Sequence, residues 1–492
     1  MGIWTKKTVG GILKDMDSVA EADRLHRGLS TFDLLTLGIA SVVGAGIFVL
    51  TGNVAAQYAG PAVAVCYILA GVASLFAALC YAEFAAMIPV SGSAYTYAYV
   101  TFGELFAWII GWDLLLEYLF SVSTVAVGWS GYFTGFLELF GLHIPTAFSN
   151  APFMLDAQDH FVRSAAILNL PAMGIVILCS ALLYVGVKMS ALANNLMVAV
   201  NITILLMVIA FGLAYVHPEY WHPFLPENTG ISGHFGWSGV FRGSAVIFFA
   251  YVGFDVASTA AQEAKDPQKS MPIAILGTLG FCTALYVAMA LVMTGMAHYQ
   301  DLNGPAPIAM AITKAGPGLA WLNTFVKWGA TIGLATTILA TMYGQVRVLF
   351  AMSRDGLLPK NIGRVHKQYR TPYVATMITG AAAVVIAALL PIDLLGELVS
   401  IGTLLAFVFV CGGVLVLRYR HPDLERPFKA PFFPWVPIFG ILICLYLMAG
   451  LPLGTWVRLI VWMAAGLLLY FTYGRFQSLR GAAEREAGRA AE

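Results

Sequence analysis

Apolar residues follow one another in stretches of roughly twenty, the length a helix needs to cross the hydrocarbon core of a bilayer. Twelve such stretches can be laid out, at 33–57, 62–87, 104–136, 166–186, 189–215, 237–262, 273–297, 324–352, 373–391, 396–417, 434–452 and 455–474. The pattern predicts an all-α polytopic membrane protein with twelve transmembrane helices. Two stretches are interrupted by glycine. In the first, Ser41-Val42-Val43-Gly44-Ala45-Gly46-Ile47-Phe48 lies mid-span, and in the sixth, Phe248-Phe249-Ala250-Tyr251-Val252-Gly253-Phe254-Asp255 places a carboxylate just past the break. Before the first span, Leu29-Ser30-Thr31-Phe32-Asp33 offers a Ser/Thr N-cap.

Composition agrees with this pattern. The chain has 492 residues, 59% hydrophobic and 11% charged, so most of its length belongs in lipid. A net charge of +1 gives no reason to expect nucleic acid as a partner, but the placement of the charges is informative. Lys6, Lys7, Lys14, Arg24 and Arg27 precede the first span; Lys265 and Lys269, then Arg354 to Arg370, Arg418 to Lys429, and Arg475 to Arg489 follow on the same side. The opposite side holds only Arg163, Arg242, Lys314, Lys327 and Arg458. Positive charge collects on the cytoplasmic face, so both termini are expected in the cytoplasm and the chain in the cell membrane. The polar first thirty or so residues argue against a cleavable leader. Cys66, Cys80, Cys179, Cys282, Cys411 and Cys444 lie in apolar stretches without a CxxC pair, so neither disulfides nor a metal site is expected.

The interrupted stretches carry the candidate chemistry. If the first helix opens, the amides of Gly44, Ala45 and Gly46 begin a half-helix that can hold an anionic group such as a carboxylate; the alternative is that the small residues only let helices pack closely. In the sixth stretch, opened carbonyls can accept from an ammonium, and Phe249 can cover the site; the alternative is an aromatic helix with a packing glycine. Paired breaks in two halves point to a transporter with its site near the midplane. Asp113, Glu117, Ser121 and Thr124 share one face of the third stretch. A mid-helix carboxylate costs about 2.5–3.5 kcal/mol on insertion scales, so these should face protein or water. Lys188 is the only lysine between Lys14 and Lys265. It either snorkels from a short turn or is a buried lysine able to release a proton. Thr331, Thr336, Thr337 and Thr341 in the eighth stretch can line a cavity or bond their own helix.

At these residues the sequence resembles the amino acid–polyamine–organocation superfamily, most closely its cationic amino acid transporter branch. The resemblance covers nearly the whole chain and rests on Gly28 to Asp33, Gly44 to Gly52, Gly111-Trp112 to Glu117-Tyr118, Gly186-Val187-Lys188-Met189-Ser190, Phe249 to Asp255 and Ala351 to Pro359. It implies a LeuT-like, five-plus-five inverted-repeat fold with broken helices 1 and 6. The segments would be a cytoplasmic 1–32, a first repeat 33–215, a second repeat 216–417, two further spans in 418–474, and a cytoplasmic tail 475–492. Carried over, the carboxylate-binding amides fall on Gly44, Ala45 and Gly46, with Ile47 beside them. The ammonium-binding carbonyls fall on Phe249, Ala250 and Val252, the gate on Phe249, and proton coupling on Lys188. Glu117, Ser121 and Asp255 complete the expected site.

The function this implies is secondary active, proton-coupled symport of L-amino acids by alternating access. Neutral substrates such as alanine are expected, with cationic ones admitted through Glu117 or Asp255. An exchanger or amino acid/polyamine antiporter without proton coupling is the alternative. Polar stripes for a channel and a nucleophile–base cluster for an enzyme are both missing from the sequence, and no cofactor is expected.

Overall fold

The computed structural model of the chain describes residues 28–90, 92–155, 161–186, 191–369 and 371–478. Its longer helices, in chain order, begin with α1 Thr31–Val42, α2 Val63–Met87, α3 Ser93–Thr101, α4 Glu104–Glu138, α5 Leu170–Val185 and α6 Ala191–Gly212. The second half contributes α7 Gly236–Ile247, α8 Pro267–Met296, α9 Pro307–Ala315 and α10 Ala320–Arg354. It ends with α11 Tyr373–Leu389, α12 Ile392–Arg420, α13 Trp435–Ala449 and α14 Leu453–Leu469. Among the described residues, each apolar stretch read from the sequence contains helical backbone. By length and composition, eight helical stretches among the described residues can cross a bilayer, and Thr31–Val42, Leu170–Val185, Tyr373–Leu389 and Trp435–Ala449 are shorter apolar helices.

Local chemistry sets the boundaries. Ser30 caps α1, its hydroxyl accepting from the Asp33 amide while the Asp33 carboxylate accepts from the Ser30 amide. Asn169 caps α5 through the Ala172 amide, with Pro171 in the first turn, so this helix starts later than the apolar run does. Two helices outside the apolar runs appear: α3, which continues from the small-residue turn after Pro89, and α9 in the connection between α8 and α10. An antiparallel pair, β1 Phe153–Leu155 with β2 Phe161–Arg163, lies in the connection between α4 and α5. This pair departs from a purely helical reading; alternation over three residues is too short a signal to read.

Both predicted interruptions are present. After α1, Val43 adopts φ −78° and ψ 82°, and the Gly44 amide donates back to the Val42 carbonyl at 2.9 Å, a tight three-residue turn. Helical backbone resumes as Gly46–Leu50, Thr51–Val54 and Ala55–Ala59, the first and last of these wound as π-helix. After α7, a 3₁₀ turn runs over Phe248–Tyr251, Val252 is extended, and Gly253 takes φ +113° before the turn Val256–Thr259. Only glycine holds that φ without strain, and a Cβ at 253 would lie 2.8 Å from the Ser41 carbonyl oxygen of α1.

Near the C-terminal end of α2, Glu83 is buried against α12. Arg418 bonds both its carboxylate oxygens, Arg426 lies 3.4 Å away, and the Ala430 amide donates at 2.8 Å. Arg426 also donates to the carbonyls of Leu417, His421, Pro422 and Leu424, closing the end of α12. Breaking a buried pair from one side costs about 3–5 kcal/mol. Glu83→Gln is therefore expected to lower the apparent melting temperature of the purified protein by several degrees; an unchanged melt would show that the arginines find other acceptors.

Candidate functional site

The opened backbone of the first segment is held by hydroxyl donors from four other helices. Thr337 of α10 lies 3.0 and 3.2 Å from the carbonyl oxygens of Ala40 and Val43, and Tyr286 of α8 donates to Val42 at 2.8 Å. Past the break, Tyr67 of α2 donates to the Gly46 carbonyl at 3.2 Å and Tyr132 of α4 to that of Phe48 at 2.7 Å. Thr51 reaches back to the carbonyls of Gly46 and Ile47 at 3.1 and 2.9 Å. Carbonyls that a continuous helix would satisfy internally are thus met by side chains. Tyr67 is itself positioned by Tyr251 of the sixth segment, whose hydroxyl donates to the Tyr67 carbonyl at 2.8 Å.

The two breaks meet. A Cβ on Gly46 would overlap Ala250, so the segments touch backbone to backbone at this point. Gly44 faces Thr337, whose Cγ2 lies 3.0 Å from the place of a Cβ, and Ala45 packs toward Gly128 of α4. Of the three amides expected to hold a carboxylate, that of Gly44 is engaged with Val42, while Ala45 and Gly46 open the resumed helix, where first-turn amides have no acceptor within the helix. The Phe249 carbonyl accepts from the Val252 amide at 3.1 Å, and Phe249, Ala250 and Val252 are all buried, as is Ile47.

The polar face of α4 is buried throughout. Thr124 bonds its own helix at Phe120, while Ser121 lies one turn past Glu117. Asp255 does not cap the turn after it; its Oδ2 accepts from the Tyr118 hydroxyl at 3.0 Å. Both oxygens of Asp113, Oε1 of Glu117 and Oδ1 of Asp255 have no hydrogen-bond partner among the described residues, and neither have the hydroxyls of Tyr81 and Tyr97. Glu117 lies within electrostatic reach of both Asp113 and Asp255. Donors and acceptors from α2, α3, α4 and the sixth segment therefore share one buried region, and such groups call for water or ligand hydrogen bonds.

At the end of the site where α1 begins, Arg347 of α10 bonds the Glu263 carboxylate and the Tyr343 hydroxyl and donates to the Thr259 carbonyl at 3.2 Å. The Gly28 and Leu29 amides donate to the Glu263 carbonyl at 3.0 and 2.9 Å. Asn195 of α6 donates to Asp33 at 2.8 Å. These contacts close the inner end of both broken segments. On the opposite side Gln57 meets Asn303 at 3.2 Å and Asn53 accepts from the Gly304 amide at 3.2 Å.

Three of the eighth-stretch threonines behave differently from one another. Thr331 and Thr336 bond their own helix, at Lys327 and Ile332, whereas Thr337 also reaches α1. Lys188 lies outside the described residues. Sequence reasoning passed over Asn201, a buried amide on α6 against Gly333 of α10. The available signal was a polar residue inside an apolar helix, seven positions after Asn194 and so on the same face.

Comparison with known proteins agrees with this architecture. A family model described as amino acid permease matches residues 29–472. A methylthioribose transporter of Bacillus subtilis (strain 168) is 46% identical over 95% of this chain and 97% of its own. The branched-chain amino acid permease BcaP of the same organism is 44% identical, covering 97% and 98%. Cationic amino acid transporter 4 of Mus musculus is 35% identical over 83% of this chain and 62% of its own length. The chain belongs to the amino acid permease family of the amino acid–polyamine–organocation superfamily, with cationic amino acid transporters among its relatives.

Proposed function

We propose that the chain is a secondary active transporter of L-amino acids that works by alternating access, driven by proton symport. The observation that carries this reading is the contact of two interrupted helices at Gly46 and Ala250, deep in the protein. Substrate carboxylate would take the amides of Ala45 and Gly46, after Gly44 releases Val42, and substrate ammonium the carbonyls of Phe249, Ala250 and Val252. Phe249 would be the gate. Twelve spans in a five-plus-five inverted repeat, both termini in the cytoplasm and residence in the cell membrane belong to the same proposal. Apolar side chains around the contact suit neutral and branched-chain substrates, and the relatives named as branched-chain permeases support that choice.

A second reading comes from the relative named as a methylthioribose transporter and from the unpartnered oxygens of Glu117 and Asp255, which can accept from substrate hydroxyls. Uptake of labelled leucine, alanine and arginine into proteoliposomes, each with and without an inward proton gradient and with methylthioribose as competitor, separates the two. Gradient-driven accumulation of amino acids supports the main reading, and uptake only against preloaded amino acid would make the protein an exchanger.

Three substitutions probe the parts. Gly46→Ala is expected to abolish substrate-induced thermal stabilisation, because its Cβ must displace Ala250; retained stabilisation would leave the glycine as a packing residue. Lys188→Ala is expected to remove the response to the proton gradient while exchange persists, and an unaltered response would end its coupling role. Glu117→Gln is expected to depress arginine uptake at least ten-fold more than leucine uptake; equal losses would assign the carboxylate to structure or coupling.

A further inference from the structure

One face of α4 is joined to α14 once in every turn. Glu104, Trp108 and Trp112 follow one another at four-residue steps along α4, and Tyr470, Gly466 and Trp462 face them at the same step in reverse. The two helices therefore meet antiparallel, in one register. The Tyr470 hydroxyl donates to Glu104 Oε1 at 3.1 Å. The Trp108 indole N–H donates to the Gly466 carbonyl at 2.9 Å, and that of Trp112 to the Trp462 carbonyl at 2.9 Å. The third link is reciprocal, because the Trp462 indole donates to the Trp112 carbonyl at 3.1 Å. An indole has one donor and no acceptor, and all three are engaged between these two helices.

The rings are stacked as well. Trp108 lies on Trp112 with centroids 5.9 Å apart and Trp112 on Trp462 at 4.9 Å, with 13° and 22° between their planes. Gly466 makes room for this: a Cβ there would fall 2.3 to 2.6 Å from Cδ1, Nε1 and Cγ of Trp112. On another flank α4 meets α12, where the place of a Cβ on Gly402 is 3.1 Å from Leu116 and 3.2 Å from Oδ1 of Asp113. Helix α4 is thus held between two close glycine contacts, and a close-packed interior leaves it little room to shift. Trp108 and Glu117 are nine positions apart, about two and a half turns, so α14 backs the side of α4 opposite Glu117.

We propose that α14 is a back-rest for the buried carboxylate face of α4. Trp462 and Gly466 are its positioning residues: acting through Trp112, they set where Asp113 and Glu117 stand relative to the sixth segment, and so set substrate affinity. Helix α14 belongs to neither interrupted segment, so its part in the site is indirect. Glu117 is within electrostatic reach of Asp255, and that closeness depends on where α4 stands. A displacement at Trp112 is passed along a close-packed helix to Glu117, five positions on. Three links in register fix both the rotation of α4 and its height along α14, which one link would leave free. The inference rests on the transport reading and deepens it, since it gives a helix outside the paired breaks a role in binding.

The test uses the purified full-length protein in detergent and the same protein in liposomes. Far-ultraviolet circular dichroism reads the exciton couplet of the stacked indoles, melting reads the fold, and initial rates of leucine uptake give the half-saturating concentration and the maximal rate. Gly466→Ala and Trp462→Leu are expected to weaken the couplet and to raise the half-saturating leucine concentration about ten-fold, with the maximal rate per folded protein within about two-fold of the unsubstituted chain. Trp462→Phe keeps a ring in the stack and loses one donor, so it should recover most of the affinity. In a Glu117→Gln background the same substitutions should add little, because the group they position is already altered. A half-saturating concentration that stays unchanged although the couplet is lost, or an effect that adds in full to that of Glu117→Gln, would overturn the positioning role and leave the stack as packing. If the unsubstituted protein neither takes up leucine nor is stabilised by it, while Gly466→Ala still weakens the couplet, the transport reading falls and the back-rest stands.

Discussion

Backbone amides and carbonyls cannot be left bare where no water reaches them, and here the first segment opens its backbone at Val43 and Gly44 in the middle of an apolar helix. The answer is a set of side-chain hydroxyls brought from elsewhere: Tyr67, Tyr132, Tyr286 and Thr337 each spend a donor on a carbonyl of that segment. Each lies on a different helix. The break is therefore a property of the whole bundle, since α2, α4, α8 and α10 must all be in place for the opened backbone to be tolerated. The same constraint explains why the sixth segment lies against it: Gly253 uses a φ of +113° and the missing Cβ to approach the Ser41 carbonyl, and Ala250 closes on Gly46.

What could be read from the sequence follows from the range of the forces involved. Apolar run length is a local property, and among the described residues each predicted stretch contains helix; glycine interruptions are local too, and both breaks sit where Gly44, Gly46 and Gly253 placed them. The Ser/Thr N-cap before the first span was visible locally, and Ser30 fills it, with Asp33 completing a capping box. The donors that make the breaks tolerable were not visible. Thr337 is separated from Ala40 by 297 positions and Tyr286 from Val42 by 244, and no local pattern distinguishes Thr337 from Thr331 or Thr336, which bond their own helix. Asn201 was hidden for the same reason: its meaning depends on Gly333 in another helix. Asp255 was read as a substrate partner, and its contact with Tyr118 could not be foreseen from spacing.

The carboxylates raise a different question of balance. Glu83 and Glu397 are buried, and each has basic side chains within ion-pair distance, Arg418 and Arg426 for the first, Arg242 and Arg458 for the second. Asp113, Glu117 and Asp255 are equally buried, yet among the described residues each keeps oxygens without a hydrogen-bond partner. Left bare, each such buried polar atom would cost about 1–3 kcal/mol, so these groups are natural places for water or ligand to bind. Their cost is sensible in a protein whose interior is wetted, charged or filled during part of its working cycle. On the proposed transport reading, the region between α4 and the sixth segment, where Glu117 and Asp255 come near one another, would be where that happens.

Two ion pairs, Arg347 with Glu263 and Glu83 with its arginines, then differ in what they permit. Arg347 and Glu263 join α10 to the end of the sixth segment with side chains 15% and 23% exposed. The arginines Arg347 and Arg418 are about equally covered, but Glu263 is far less buried than Glu83, so separating this pair strands less charge. Glu83 with Arg418 and Arg426 is nearly buried, at 3%, 14% and 4% exposure, and separating it strands charges at higher cost. A contact that opens in every cycle must be broken with the free energy that substrate and coupling ions supply as differences in affinity, commonly a few kcal/mol. The first pair is the easier of the two to open within that range. On the proposed alternating-access reading, α2 and the C-terminal end of α12 would travel together, and the opening would run between α10 and the ends of the two broken segments.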